Sequence, residues 1–180
     1  ASGTVVAGGN GTAGGNLNQT FGPSGIFVDG ESNLYVVETF NHRVTKWAPG
    51  SSEGVIVAGG NGSGSDLDQL SNPKGIYVDS YGNIYIAEQG NHRVTKWAPG
   101  ASSGTIVAGG NNAGSAANQL NVPHGIFLDS SGNLYIADYR NNRIQKWSPG
   151  TNEGVTVAGG NGRFESANTL ILPIYFTLDS

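Results

Sequence analysis

Three histidines, three acid–arginine pairs, four evenly spaced aspartates and three tryptophans carry the chemistry available to this 180-residue chain. His42 and His92 lie in an Asn-His-Arg stretch, and neutral imidazole is the commonest metal ligand. Glu38, Glu88 and Asp138 each stand five residues before an arginine (Arg43, Arg93 and Arg143), where a carboxylate can serve acid–base catalysis or an ion pair. Asp29, Asp79, Asp129 and Asp179 form a third set. Asp129-Ser130-Ser131-Gly132-Asn133 has a faint likeness to a calcium loop, but its series of oxygen ligands is too short. Trp47, Trp97 and Trp147 offer flat faces to a sugar ring.

Each set returns every 50 residues, and the recurrence decides how it is read. A catalytic pair or a metal centre is needed once, whereas a packing or turn device is needed once per repeat. The histidines therefore read as turn chemistry, and the acid–arginine pairs as structural ion pairs within or between repeats. The aspartates read as Asx-type turn caps, and the tryptophans as packing between repeats. No catalytic residue, metal centre or cofactor is expected. The position between a repeated Pro and Gly behaves differently: it holds Ser24, Lys74, His124 and then Ile174. Variation on a constant scaffold is where specificity belongs. Phe40, Tyr139 and Arg140 also break the repeat, and the sequence assigns them no chemistry.

The elements that position these residues are short strands. After Pro73 comes Gly75-Ile76-Tyr77-Val78-Asp79, a β-rich run closed by a Ser80-Tyr81-Gly82-Asn83 turn. Ile84-Tyr85-Ile86-Ala87-Glu88 follows, then a Gln89-Gly90-Asn91-His92 turn. Arg93-Val94-Thr95-Lys96-Trp97 alternates polar and apolar residues as a half-buried strand does. Gly104-Thr105-Ile106-Val107-Ala108 is the fourth run. Strands a to d in this order, all antiparallel, make one propeller blade. Strand a is expected innermost and strand d outermost. A recurring Leu70, Leu120 and Leu170 is expected to tuck under the long d-to-a connection. Thirty glycines and only 12% charged residues suit tight turns and strands better than helices.

The pattern P-x-G-[IV]-x-[VL]-D-x-x-G-N-[LI]-Y-[VI]-[AV]-[DE]-x-x-N-[HN]-R-[VI] resembles the NHL repeat. It is read at residues 23–44, with Ser32 in place of the pattern's second glycine, and at 73–94 and 123–144. The resemblance implies an all-β propeller, commonly six-bladed in that family, with blades at about 23–59, 73–109 and 123–159 in one array over 1–180. It also implies a binding platform, and it places Ser24, Lys74 and His124 near the central mouth as ligand-facing candidates. Related six-bladed enzymes include gluconolactonase-like hydrolases, strictosidine-synthase-like proteins and peptidyl-hydroxyglycine lyases.

The two ends are expected to be part-blades: an outer strand at 1–9 and an inner strand at 173–180. Three complete blades fall short of the roughly four to eight that close a ring, so other chains are expected to complete or extend it. Unpaired edges invite such a neighbour. Ile171, Leu172, Ile174, Tyr175 and Phe176, with Val5 and Val6, form the expected self-assembly interface. The methionine-free chain is expected to be a processed product or a fragment.

A net charge of −4 argues against nucleic acid or an anionic membrane as partner. No apolar run approaches 18 residues, so no membrane insertion is expected. With no cysteine there is neither a disulfide nor a thiolate site. Asn10, Asn18 and Asn61 open glycosylation sequons in polar loops, consistent with an extracellular or cell-surface location. The leading expectation is a non-catalytic scaffold that binds protein, including its own copies, as a ring or a filament. The alternatives are a propeller enzyme of the hydroxyglycine-lyase or gluconolactonase type, and a glycan-binding propeller.

Overall fold

A computed structural model describes residues 2–9, 11–161 and 169–177. Twelve strands fall into three four-stranded antiparallel sheets, each in simple sequence order. The first blade comprises β1 (Pro23–Val28), β2 (Leu34–Glu38), β3 (Arg43–Trp47) and β4 (Val55–Gly59). The second comprises β5 (Pro73–Val78), β6 (Ile84–Glu88), β7 (Arg93–Trp97) and β8 (Thr105–Gly109). The third comprises β9 (Pro123–Leu128), β10 (Leu134–Asp138), β11 (Arg143–Trp147) and β12 (Val155–Gly159). Helical geometry among the described residues is confined to two single 3₁₀ turns, Thr39–Asn41 and Tyr139–Asn141.

The turn between the first two strands of each blade is built by the aspartate. Asp79 Oδ1 accepts the N–H groups of Tyr81 and Asn83, and Asn83 donates its side-chain amide to Asp79 Oδ2. Asp29 and Asp129 repeat the arrangement. The carboxylate thus replaces the backbone partners that a tight turn leaves unmatched. Burial pulls both of these carboxyls upward. Their bonds to Asn33 and Asn133 outweigh it and hold them below the usual range.

Period-two alternation divides the second blade between two cores. Ile76, Val78, Ile84, Ile86 and Trp97 of the second blade pack with Tyr35, Val37, Val44 and Ala58 of the first. The opposite alternates, Tyr85, Ala87 and Val94, pack with Leu134, Ile136 and Trp147 of the third. Leu70 and Leu120 are fully buried under the connections. All three tryptophans are buried, Trp97 and Trp147 at the two blade junctions.

Strands β1, β5 and β9 meet from blade to blade, which makes them the inner strands. Glycine allows that approach. A Cβ on Gly25, Gly75 or Gly125 would overlap the carbonyl oxygen of Lys74, His124 or Ile174 respectively. Edge-to-face contacts Phe27–Tyr77 and Tyr77–Phe127, at 5.3 and 5.4 Å, continue around the same inner wall.

The ends differ from the sequence expectation. No strand forms over 2–6 or 173–177, where an outer and an inner strand were expected. A strand needs a ladder partner, and neither segment has the neighbouring strand of its blade. Both keep their place nonetheless. Thr4, Val5 and Val6 line a groove with Val28, Leu34, Trp47 and Pro49. Ile106 and Val107 of β8 line the homologous groove with Leu128, Leu134, Trp147 and Pro149. At the other end Gly125 N–H donates to Ile174 O at 2.8 Å.

Candidate functional site

The mouth is built where the inner strands begin. Ser24 Oγ donates toward Pro73 O and Lys74 O, each at 3.3 Å. Thr39 Oγ1 lies 2.9 Å from Ser24 Oγ and donates to Pro73 O at 2.8 Å. In the third blade the same two positions hold His124 and Tyr139, whose rings stack with centroids 4.6 Å apart. The second blade has Lys74 and Gln89 there. The variable residue on each inner strand is therefore paired with a variable residue on the turn beside it.

This pairing brings together residues that the sequence left separate. Tyr139 did not repeat and had no assigned chemistry, yet it is the surface on which His124 rests. The signal was present: Thr39, Gln89 and Tyr139 differ from repeat to repeat, as do the neighbouring Phe40, Gly90 and Arg140. Phe40 packs on Phe21 at 5.0 Å, and both are exposed. Tyr175, which stands where the other repeats have glycine, donates its hydroxyl to Ser24 O at 2.8 Å. The fourth inner segment thus reaches back to the first.

Burial lowers the His124 imidazole below its ordinary value, and the Lys74 ammonium lowers it further. Its Nε2 is buried with no hydrogen-bond partner among the described residues. Lys74 and Arg140 are the described cations outside the repeated Arg and Lys positions, and neither is ion-paired among the described residues. The mouth can accept an anionic or aromatic group.

The repeated acid–arginine pairs are buried and structural. Arg93 Nε donates to Glu88 Oε1 at 2.7 Å, while its other nitrogens donate to the carbonyls of Ser65, Asp66 and Gln69. One guanidinium thereby ties the long connection to its blade. Arg43 and Arg143 do the same with Glu38 and Asp138. Among the described residues no three His, Asp or Glu side chains gather as a metal would require. Among the described residues no helix is long and apolar enough to cross a membrane.

The remaining predicted residues are dispersed. Ile171, Ile174 and Tyr175 are exposed; Leu172 and Phe176 are half-buried; Val5 and Val6 are exposed on the far side of the first blade. Asn61 is exposed, with its side-chain amide on Asp68, and Asn18 is half-buried. Asn10 lies outside the described residues.

The NHL repeat family matches residues 70–97 and 120–147. No curated protein matches the sequence. Among solved structures the chain resembles a structural-genomics protein of unknown function from Bacteroides thetaiotaomicron VPI-5482, with TM-score 0.63 and 20% identity over 83% of this chain and 40% of that one. It also resembles a gluconolactonase from Xanthomonas campestris, with TM-score 0.61 and 14% identity over 79% of this chain and 49% of that one. A streptogramin B lyase gives TM-score 0.53 and 16% identity over 78% of this chain and 41% of that one. The chain spans less than half the length of each of these structures. At such identities the likeness establishes the propeller-type fold and nothing about substrate.

Proposed function

We propose that this chain, which carries NHL repeats folded as propeller blades, is a non-catalytic scaffold for protein–protein contact, including contact with copies of itself. One observation carries the reading. Ile26 and Val28 of the first blade are 68% and 58% exposed, whereas their counterparts Ile76 and Val78 are 8% and 5% exposed against a neighbouring blade. The first blade thus presents the same face that the second buries. Val157 of the third blade is 49% exposed where its counterparts Val57 and Val107 are half-buried against the next blade. Covering such side chains contributes roughly 1.5–3 kcal/mol each. A face of this kind accepts any blade of matching shape, and the third blade of another copy supplies one. Unlike faces joined in this way propagate head to tail, as a closed ring or an open filament.

Sedimentation of the 180-residue chain tests the reading. Particles heavier than one chain are expected, reduced to single chains by Ile26→Asp with Val28→Asp while the circular-dichroism spectrum is kept. Single chains at every concentration would refute it. An extracellular or cell-surface location rests on the sequons at Asn18 and Asn61. A mass shift on glycosidase treatment of the protein from its native source is the corresponding test.

A second reading, ligand capture at the mouth, is favoured by the unpartnered His124 Nε2 between Lys74 and the Tyr139 ring. His124→Ala is expected to weaken such binding without unfolding the blade. A turnover assay with lactone and hydroxyglycine substrates separates capture from catalysis.

A further inference from the structure

The turn histidines do more than turn the chain. His42 and His92 sit in the left-handed region, at φ 50° and 52°, as the last residue before strands β3 and β7. His42 Nδ1 accepts the backbone N–H of Asn72 at 3.2 Å, and His92 Nδ1 accepts that of Val122 at 3.1 Å. Each acceptor belongs to one blade and each donor leads into the next. In the third repeat Asn142, at φ 53°, does the same work: its Oδ1 accepts the N–H of Leu172 at 3.0 Å.

The residues held by these bonds are themselves strained. Asn72, Val122 and Leu172 stand at φ 45°, 58° and 47°, each immediately before a proline. A residue before proline prefers extended backbone, and a β-branched valine is a poor occupant of the left-handed region. In the first repeat the position is Gly22, φ 62°, which adopts it freely. The bond therefore clasps a segment that would relax if released.

We infer that His92 is an acid-sensitive latch between blades, and that the Asn142 junction is its pH-independent counterpart. A neutral imidazole with a bare Nδ1 accepts the N–H. Protonation places a second N–H on the ring, so donor faces donor and the bond is lost. The charged groups from the next blade that act on His92 are Asp138 and Arg140. The corresponding positions opposite His42 are Glu88 and Gly90, so the cation is absent there.

Burial lowers the His92 imidazole below its ordinary value of about 6.5, Arg140 lowers it further, and Asp138 opposes them. A depressed value in the closed state means that closure is fully favoured above the ordinary value. It weakens as pH falls below that value, by up to about tenfold per pH unit until the closed-state value is reached. Opening would bare Leu134 and Trp147 at the junction of the second and third blades.

Hydrogen exchange followed by NMR tests the latch. Protection factors of the Val122 and Leu172 amides are compared between about pH 7.5 and about pH 5. The Val122 amide is expected to lose protection as pH falls below about 6.5, by at most about tenfold per unit, and Leu172 to change little. His42→Asn with His92→Asn installs the residue that the chain already uses at its third junction, and is expected to flatten the response. Loss of protection in that double variant as large as in the parent would overturn the inference. So would a proton on Nδ1 of His92 at neutral pH, read from its nitrogen shift in the unaltered chain.

Discussion

The second and third blades place the same buried network on the same backbone, and only one of them closes it. Under the second blade Thr95 Oγ1 donates to Glu88 Oε1 at 3.0 Å and accepts Trp97 Nε1 at 3.2 Å. The first blade repeats this with Glu38, Thr45 and Trp47. Under the third blade Asp138 is one methylene shorter and Gln145 replaces the threonine. Gln145 Oε1 and Trp147 Nε1 are then buried without partners among the described residues, and both lie beside Gly154. Burial pushes the Asp138 carboxyl above its usual value despite the bonds from Asn141, Asn121 and Arg143. The strand register is the same in both blades, so the hydroxyl bridge is not needed to set it. The hydroxyl bridge between acid and indole adds stability rather than shape.

The largest effect should come from removing the shared part. Arg93→Ala and Arg143→Ala each leave a buried carboxylate and the loop carbonyls unpaired, and each should cost about 3–5 kcal/mol in urea denaturation. Equal losses would show that the arginine clamp matters alike in both blades. A much smaller loss at Arg143 would mark the third network as already loosened.

Moving the difference between blades sharpens the comparison. Glu88→Asp with Thr95→Gln makes the second blade resemble the third, and should cost about 1–3 kcal/mol by orphaning the Trp97 indole. The reverse pair, Asp138→Glu with Gln145→Thr, should stabilise the chain by about 1 kcal/mol, seen as a higher denaturation midpoint with an unchanged slope. No gain would mean that Gln145 is already satisfied in solution. The smallest effect is a difference of differences. Trp97→Phe loses a hydrogen bond and Trp147→Phe loses none, so the first should be costlier by about 1 kcal/mol at similar packing loss.

Much of this was legible in the residues. The Asp-x-x-Gly-Asn turns, the four strands per repeat and the acid five residues before arginine all appear in the fold where their chemistry requires them. Those features act within a few residues of one another, so a local pattern is enough. Other features were not legible. The tryptophans could be assigned to packing, yet nothing in the sequence showed that the threonine two residues earlier accepts the indole. The terminal runs had the composition of strands and form none among the described residues, because composition cannot supply a missing ladder partner. His124 was marked by its variation, but Tyr139 beneath it was only a residue that failed to repeat.

By itself the sequence determined the period, the blade, the turn chemistry and the Pro-x-Gly start of each inner strand. Tertiary structure alone decided which residues from successive repeats meet. His92 takes the N–H of a residue 30 positions away, Ser24 reaches a carbonyl 50 positions away, and Tyr175 closes back on Ser24 across 151. The physical reason is the geometry of stacking. A repeat dictates its own hydrogen bonds, but the approach of one blade to the next is set by how closely glycine lets the inner strands converge. Only that approach brings a turn histidine, a strained residue before proline and a mouth side chain within bonding distance.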